Sequence, residues 1–200
     1  MKTAFCFDLD GTISSLEILP CIAAELGIAD EIATLTRLTM DGHIPFTDSL
    51  RLRTLILGQI PLDRVHAIID AIQLDCDLLS FLDDYRSDCF IVTGNLDLWV
   101  APLLQRLGCG WHCTTARHVD GRIVLDSILD KGEVVRQLRA QGQYDRIVAI
   151  GDGANDVPML READVAIAYG GVHPPTQATA AAASLIINDP ETLCTLLKAL

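Results

Sequence analysis

Thr3-Ala4-Phe5-Cys6-Phe7-Asp8-Leu9-Asp10-Gly11-Thr12 decides how this chain is read. A short apolar run, Thr3 to Phe7, ends in two carboxylates spaced two apart. Ile147-Val148-Ala149-Ile150-Gly151-Asp152-Gly153-Ala154-Asn155-Asp156 repeats the arrangement late in the chain. Apolar runs of this length suit strands buried on both faces of a parallel sheet. Open α/β sheets bind ligands at the C-terminal ends of their strands, where both acidic clusters fall. Carboxylates gathered there repel one another and call for a cation between them. Hard oxygen donors beside a phosphate suit Mg²⁺. The two stretches together therefore imply halves of one site for metal-assisted phosphoryl chemistry.

Between the two lies a change of pattern. Residues from about Ser14 to Gln73 are expected to be helical, with turn signals at Gly27, Asp41-Gly42 and Gly58. Leu50, Leu52, Leu55, Ile56 and Leu57 offer one apolar face; Val65, Ile68, Ile69 and Ile72 have amphipathic helical spacing. From Asp77 a βα alternation takes over. A helix is expected over Leu78 to Tyr85 and a buried strand over Cys89 to Val92, ending in Thr93-Gly94-Asn95. The next helix runs to Leu107, with Pro102 in or near its first turn. Asp120-Gly121 within Arg117 to Val124 signals a hairpin. Asp130 and Glu133 can form a capping box for a helix reaching about Arg139. Strands at Ile147 to Ile150, Val165 to Ala168 and Leu185 to Ile187 alternate with helices near Val157 to Arg161 and Thr176 to Ala183. Asp189-Pro190 starts the last helix. The expected fold is α/β: a doubly wound, Rossmann-like parallel sheet, residues 1–13 and 77–200, with a helical-bundle cap, residues 14–76, inserted into it.

Composition narrows the partners. The chain has 200 residues, half of them hydrophobic, and a formal charge of −12. That charge argues against nucleic acid and anionic membranes. The seven cysteines form no C-x-x-C pair and read as small buried hydrophobes in a reducing compartment. The N-terminus runs into a strand rather than a signal sequence, and no apolar run is long enough for a bilayer span. A cytoplasmic protein acting on a small phosphorylated metabolite is the expectation; the oligomeric state is not legible. The histidines at 43, 66, 112, 118 and 173 are scattered without metal-ligand spacing, and Trp99 and Trp111 are expected in the core or at the cap contact.

Asp8 and Asp10 can divide nucleophilic attack and proton transfer between them. Thr93 offers a hydroxyl, and Gly94 an amide, to a phosphate oxygen. Lys131 opens a helix, so its ammonium and the helix N-terminus both favour an anion. Asp152 and Asp156 supply further carboxylates, with Asn155 between. The order Asp8-x-Asp10-Gly11-Thr12, Thr93, Lys131, Gly151-Asp152-Gly153-x-Asn155-Asp156 resembles the four-motif pattern of the haloacid dehalogenase superfamily over essentially the whole chain. The helical insert between the first two motifs resembles the superfamily's phosphoserine phosphatase-like branch.

That resemblance implies a fuller assignment. Asp8 would be the nucleophile and Asp10 the general acid/base. Asp8, the Asp10 carbonyl and Asp152 would hold Mg²⁺. Thr93, Gly94 and Lys131 would hold phosphate, with Asn155 nearby, and Asp156 would orient Lys131 and metal-bound water. Glu17, Met40, Phe46 and Arg53 fall on the branch's specificity positions, which implies phosphoserine as substrate. The residues themselves agree, since one acid and one arginine can pair both charged groups of an amino acid. The chain also departs from the branch. Asn95 and Leu96 stand where another glycine and an aromatic are usual, and the stretch from the hairpin to Lys131 is short. Tyr169-Gly170-Gly171-Val172-His173-Pro174-Pro175 either rims the site or is a plain Gly/Pro loop. These departures bear on the substrate rather than the chemistry. Another small phosphomonoester, or transfer to an acceptor alcohol, is the rival within enzymes. A binding protein of the same fold that has lost turnover is the rival outside them; the intact acidic set argues against it.

Overall fold

β1 (Thr3–Phe7) is buried at every residue because it runs through the middle of the sheet. The computed structural model describes residues 1–200. β1 pairs in parallel with β2 (Cys89–Leu96) on one side and β5 (Arg146–Gly151) on the other. The chain extends the sheet from β2 to β3 (Gly110–Val119) and β4 (Arg122–Ser127), and from β5 to β6 (Val165–Tyr169) and β7 (Leu185–Ile187). The order is β4-β3-β2-β1-β5-β6-β7, with only the β3–β4 hairpin antiparallel. Growth reverses direction at β1, the point where doubly wound sheets open a crevice. Asp8 and Asp152 follow the strands on either side of that point.

The insert consists of α1 (Ile18–Ala23), α2 (Ala29–Met40), α3 (Phe46–Leu57) and α4 (Leu62–Asp70). α5 (Cys76–Asp84) then packs against α10 (Pro190–Ala199), and Asp75 caps it by accepting from the amides of Asp77 and Leu78. α6 (Asp97–Leu107), α7 (Lys131–Ala140), α8 (Val157–Glu162) and α9 (Gln177–Ala182) cover the sheet. Apolar packing forms two clusters, one either side of the sheet, and the larger runs on into the inserted helices. No helix is long and apolar enough to cross a membrane.

Several expectations need correction. Leu52 and Leu55 are exposed, because α3 buries Ser49, Leu50, Arg53, Thr54 and Leu57 instead. The helical period selects that stripe, and it is half polar because it faces a cavity. Pro102 lies well inside α6 rather than in its first turn. Its missing amide leaves the Leu98 carbonyl free within the helix. His66 of α4 takes that carbonyl at 2.8 Å, tying the insert to the sheet-covering helices. β2 continues through Thr93-Gly94-Asn95 to Leu96 with a register shift after Thr93, so Gly94 and Asn95 bulge at the strand's end. β3 begins at Gly110, well before the expected hairpin, and Trp111 is exposed on it. Asp130 caps α7 through the amides of Gly132 and Glu133 as expected, but Glu133 turns to Arg136 and Gln137 rather than closing a box. Of the seven cysteines, all free, Cys76 is exposed and Cys21 and Cys109 are half-buried.

Candidate active site

Asp8 follows β1 directly, and its amide donates to the Ile150 carbonyl of β5, so the two acidic loops leave the sheet together. Asp8, Asp152 and Asp156 are buried side by side, with carboxylate oxygens within 4.8 Å of one another. Lys131, the first residue of α7, reaches under them. Its Nζ donates to Asp8 Oδ1 and, at 2.6 Å, to Asp156 Oδ1. Asp156 also accepts from the Asp152 and Gly153 amides at 3.0 and 2.9 Å. It is therefore the brace of the loop, and its oxygens are taken. Asp152 keeps one oxygen, Oδ2, buried and without a hydrogen bond; Oδ1 accepts from Thr12 at 3.3 Å.

The electrostatics follow from packing acids in a place with little water. Burial, then the neighbouring Asp156, push Asp8 up to about 7, against the opposing pull of Lys131. Burial, then Asp156 and Asp8, raise Asp152 well above the carboxylate range. Burial opposes the charge of Lys131, but Asp156 and Asp8 outweigh it and hold the lysine protonated. One ammonium among three buried carboxylates leaves excess negative charge. An unpartnered Asp152 oxygen in that surrounding is what a divalent cation would satisfy, and all-oxygen donors suit Mg²⁺. The residues present fit the ion.

Asp10 stands one position further out. Burial, then Glu17 and Asp8, raise it well above its ordinary range, while a hydrogen bond from Asn95 Nδ2 at 2.9 Å opposes the shift. Its Oδ1 has no partner. A carboxyl whose proton is held more tightly in this way is suited to give it to a leaving group. Asn95 also donates to Thr93 Oγ1, from its backbone amide at 3.1 Å and its side chain at 3.2 Å. The Thr93 hydroxyl thus accepts twice and keeps its own proton to donate.

A cavity opens above these groups. It is lined by Asp8, Asp10, Thr93, Gly94, Asn95 and Asn155 from the sheet side, and by Glu17, Thr36, Thr39, Met40, Phe46 and Arg53 from the insert. The Phe46 ring packs over Gly94 so closely that a Cβ there would collide with it. Arg53 is buried, donating to Ser49 O and to Thr36 Oγ1 at 3.1 Å, with no carboxylate in ion-pairing range. Burial lowers its pKa, although Asp10 and Glu17 favour its charge. All the expected phosphate, metal and specificity positions thus meet at one cavity or directly beneath it.

Two residues escaped the sequence reading. Asn95 was visible only as a departure after Thr93-Gly94. His173 stands in no recognisable spacing to either acidic loop, yet its Nε2 sits 3.2 Å from Asp152 Oδ2 and 3.7 Å from Glu17 Oε1. The Gly/Pro loop therefore does rim the site, and the histidines are not all remote from it.

Residues 5–161 match the haloacid dehalogenase-like hydrolase family, and the chain belongs to it. It is 34% identical over 185 residues to a phosphoserine phosphatase of Halobacterium salinarum, covering 86% of both chains. It is 28% identical to one of Methanocaldococcus jannaschii, over 84% of this chain and 85% of that one. Among solved structures it resembles a phospho-aspartyl intermediate analogue of phosphoserine phosphatase, with a TM-score of 0.82 and 26% identity over 100% of this chain and 98% of the other.

Proposed function

We propose that this protein is a Mg²⁺-dependent phosphomonoesterase acting on phosphoserine through an aspartyl-phosphate on Asp8. The observation that carries the substrate is Arg53: a buried guanidinium with no anionic partner, in the same cavity as the unpartnered Glu17 oxygen. Leaving either charge unpaired in a dry pocket is costly, and a substrate bearing a carboxylate and an ammonium pairs both. The H. salinarum and M. jannaschii relatives named above support the same substrate.

Asp8, the Asp10 carbonyl and Asp152 would hold the Mg²⁺, which would keep Asp8 ionised and neutralise charge on the phosphoryl oxygens. Lys131, the Thr93 hydroxyl and the Gly94 amide orient the phosphate, with Asn155 beside them. The Asp8 carboxylate attacks phosphorus as the bond to the serine oxygen breaks, and Asp10 gives that oxygen its proton. Asp10 then takes a proton from water as the water attacks phosphorus, which frees phosphate and restores Asp8. Met40 and Phe46 close the apolar side of the pocket and exclude bulk water.

Phosphate release from a panel of small phosphomonoesters tests the reading. Phosphoserine should exceed phosphoethanolamine, which lacks the carboxylate, and 3-phosphoglycerate, which lacks the ammonium, by about one to two decades in kcat/KM. EDTA should remove the activity and Mg²⁺ restore it. A preference for a sugar or glycerol phosphate would overturn phosphoserine while leaving the phosphatase. No Mg²⁺-dependent release from any member would favour a protein that binds without turnover.

A further inference from the structure

Asn95 is buried beside Asp10 and takes no part in the chemistry above. It sits on the bulge where β2 loses register with β3, the kind of irregularity that re-aims a side chain. Both hydrogens of its side-chain amide are spent inside the site: Nδ2 donates to Asp10 Oδ2 at 2.9 Å and to Thr93 Oγ1 at 3.2 Å. One amide thus spans the two ends of the reaction, the phosphate contact at Thr93 and the proton carrier at Asp10. An amide N–H only donates, so Oδ2 of Asp10 is held as an acceptor; a proton on it would point at the amide hydrogen. The other oxygen, Oδ1, has no partner. A group that serves first as acid and then as base needs one oxygen free to release a proton and take one back. Without the amide, the carboxyl could turn about its broad χ2 and offer either oxygen. A water filling the gap would accept as readily as donate, and would not choose between them.

We propose that Asn95 is a positioning residue that fixes which oxygen of Asp10 exchanges the proton: it engages Oδ2 and reserves Oδ1. This role rests on Asp10 being the general acid/base, as read above. In the first step the Asp8 oxygen bonds to phosphorus, the bond from phosphorus to the serine oxygen breaks, and the proton on Oδ1 passes to that oxygen. In the second, water oxygen bonds to phosphorus, the bond to Asp8 breaks, and Oδ1 takes the water's proton back. The same oxygen serves both steps, so the carboxyl need not turn between them.

Asn95→Ala removes the side-chain amide but keeps the backbone amide, which donates to Thr93 Oγ1 at 3.1 Å, so the phosphate contact is left in place. The test is kcat and KM, with Mg²⁺, for phosphoserine and p-nitrophenyl phosphate in wild type, Asn95→Ala, Asp10→Asn and the double variant. Asn95→Ala should lower kcat on phosphoserine by about 10-fold or more, with KM within about threefold, since it forfeits part of the roughly 10²–10⁴-fold that general acid catalysis supplies. The loss on p-nitrophenyl phosphate should be at least ~5-fold smaller, because nitrophenolate leaves without a proton. Turnover of that ester also reports that the variant is folded. In the Asp10→Asn background, removing Asn95 should cost no more than about twofold further, because groups that act as a unit are not additive. Asn95→Leu, which keeps the volume without the donor, should behave as Asn95→Ala does and separates the lost hydrogen bond from a lost side chain. Equal losses on both esters, losses that multiply in the double variant, or unchanged phosphoserine turnover in both single variants overturn the role. Wild type alone decides the phosphoserine reading: a preference for another alkyl phosphate removes that reading, and the same contrast is then measured on the preferred ester.

Discussion

The two walls of the cavity are built on opposite principles. On the sheet side the charged groups are cross-braced: Lys131 holds Asp8 and Asp156, Asp156 holds two amides, and Asn95 ties Asp10 to Thr93, while the oxygens left free on Asp10 and Asp152 face the reacting end of the cavity. On the insert side the arginine is held by neutral neighbours only. Arg53 rests on Ser49 and Thr36, and one Glu17 oxygen has no partner. A preorganised wall suits a fixed reaction, because its dipoles need no rearrangement as charge develops. A wall of unpaired charges suits recognition, because its missing partners arrive with the ligand. Changes to the sheet wall should therefore stop chemistry on every substrate, and changes to the insert wall should alter the choice of substrate.

The largest effect is expected at Asp8. Asp8→Asn should lower turnover of any phosphomonoester by about 10⁴-fold or more, since an amide is a poor nucleophile and losing a catalytic nucleophile is typically this severe. Phosphate release by the purified variant checks it; near-normal rates would remove the covalent mechanism. Next comes Asp10→Asn. The expected loss is roughly 10²–10⁴-fold on phosphoserine, the usual worth of general acid catalysis. The loss on p-nitrophenyl phosphate should be smaller, because nitrophenolate leaves without a proton. Equal losses on both would move the proton to another group.

A smaller effect is expected in stability without metal. Asp8 is raised from an ordinary carboxylate value of 3.8 to about 7 in the folded protein. The folded state therefore holds a proton that the unfolded state releases near pH 4, and stability falls as pH rises through about 7. Thermal melts in EDTA should show a lower Tm at pH 7 than at pH 5, by a few degrees. Mg²⁺ should raise Tm more at pH 7 than at pH 5, because it replaces the lost proton. A flat profile with and without Mg²⁺ would contradict the burial of excess negative charge.

Much of the sheet wall was legible in the sequence because it sits on short motifs at strand ends. A run such as Ile147 to Ile150 followed by Gly151-Asp152-Gly153 places a carboxylate by strand geometry alone. The ends of the last strand and last helix were equally legible, since Asp189-Pro190 caps α10 as its chemistry demands. The insert wall was harder. The leucines of α3 suggested an apolar face, whereas the buried stripe carries Ser49, Arg53 and Thr54. Periodicity shows which residues share a face but not whether that face meets a core or a polar cavity. Pro102 misled because a proline inside a helix is unfavourable unless the freed carbonyl finds a donor, and His66 supplies it from more than thirty positions away. His173 was illegible for the same reason: its neighbours are set by how three loops converge, which no local spacing encodes.

The most direct test of the division between the walls is kcat/KM for phosphoserine and for p-nitrophenyl phosphate, measured in wild type and Arg53→Ala. Charge-assisted hydrogen bonds contribute on the order of 1.5–3 kcal/mol. Phosphoserine should therefore lose about one to two decades while p-nitrophenyl phosphate stays within about threefold of wild type. Equal loss on both substrates, or unchanged turnover of phosphoserine, would contradict the assignment of selection to the insert wall.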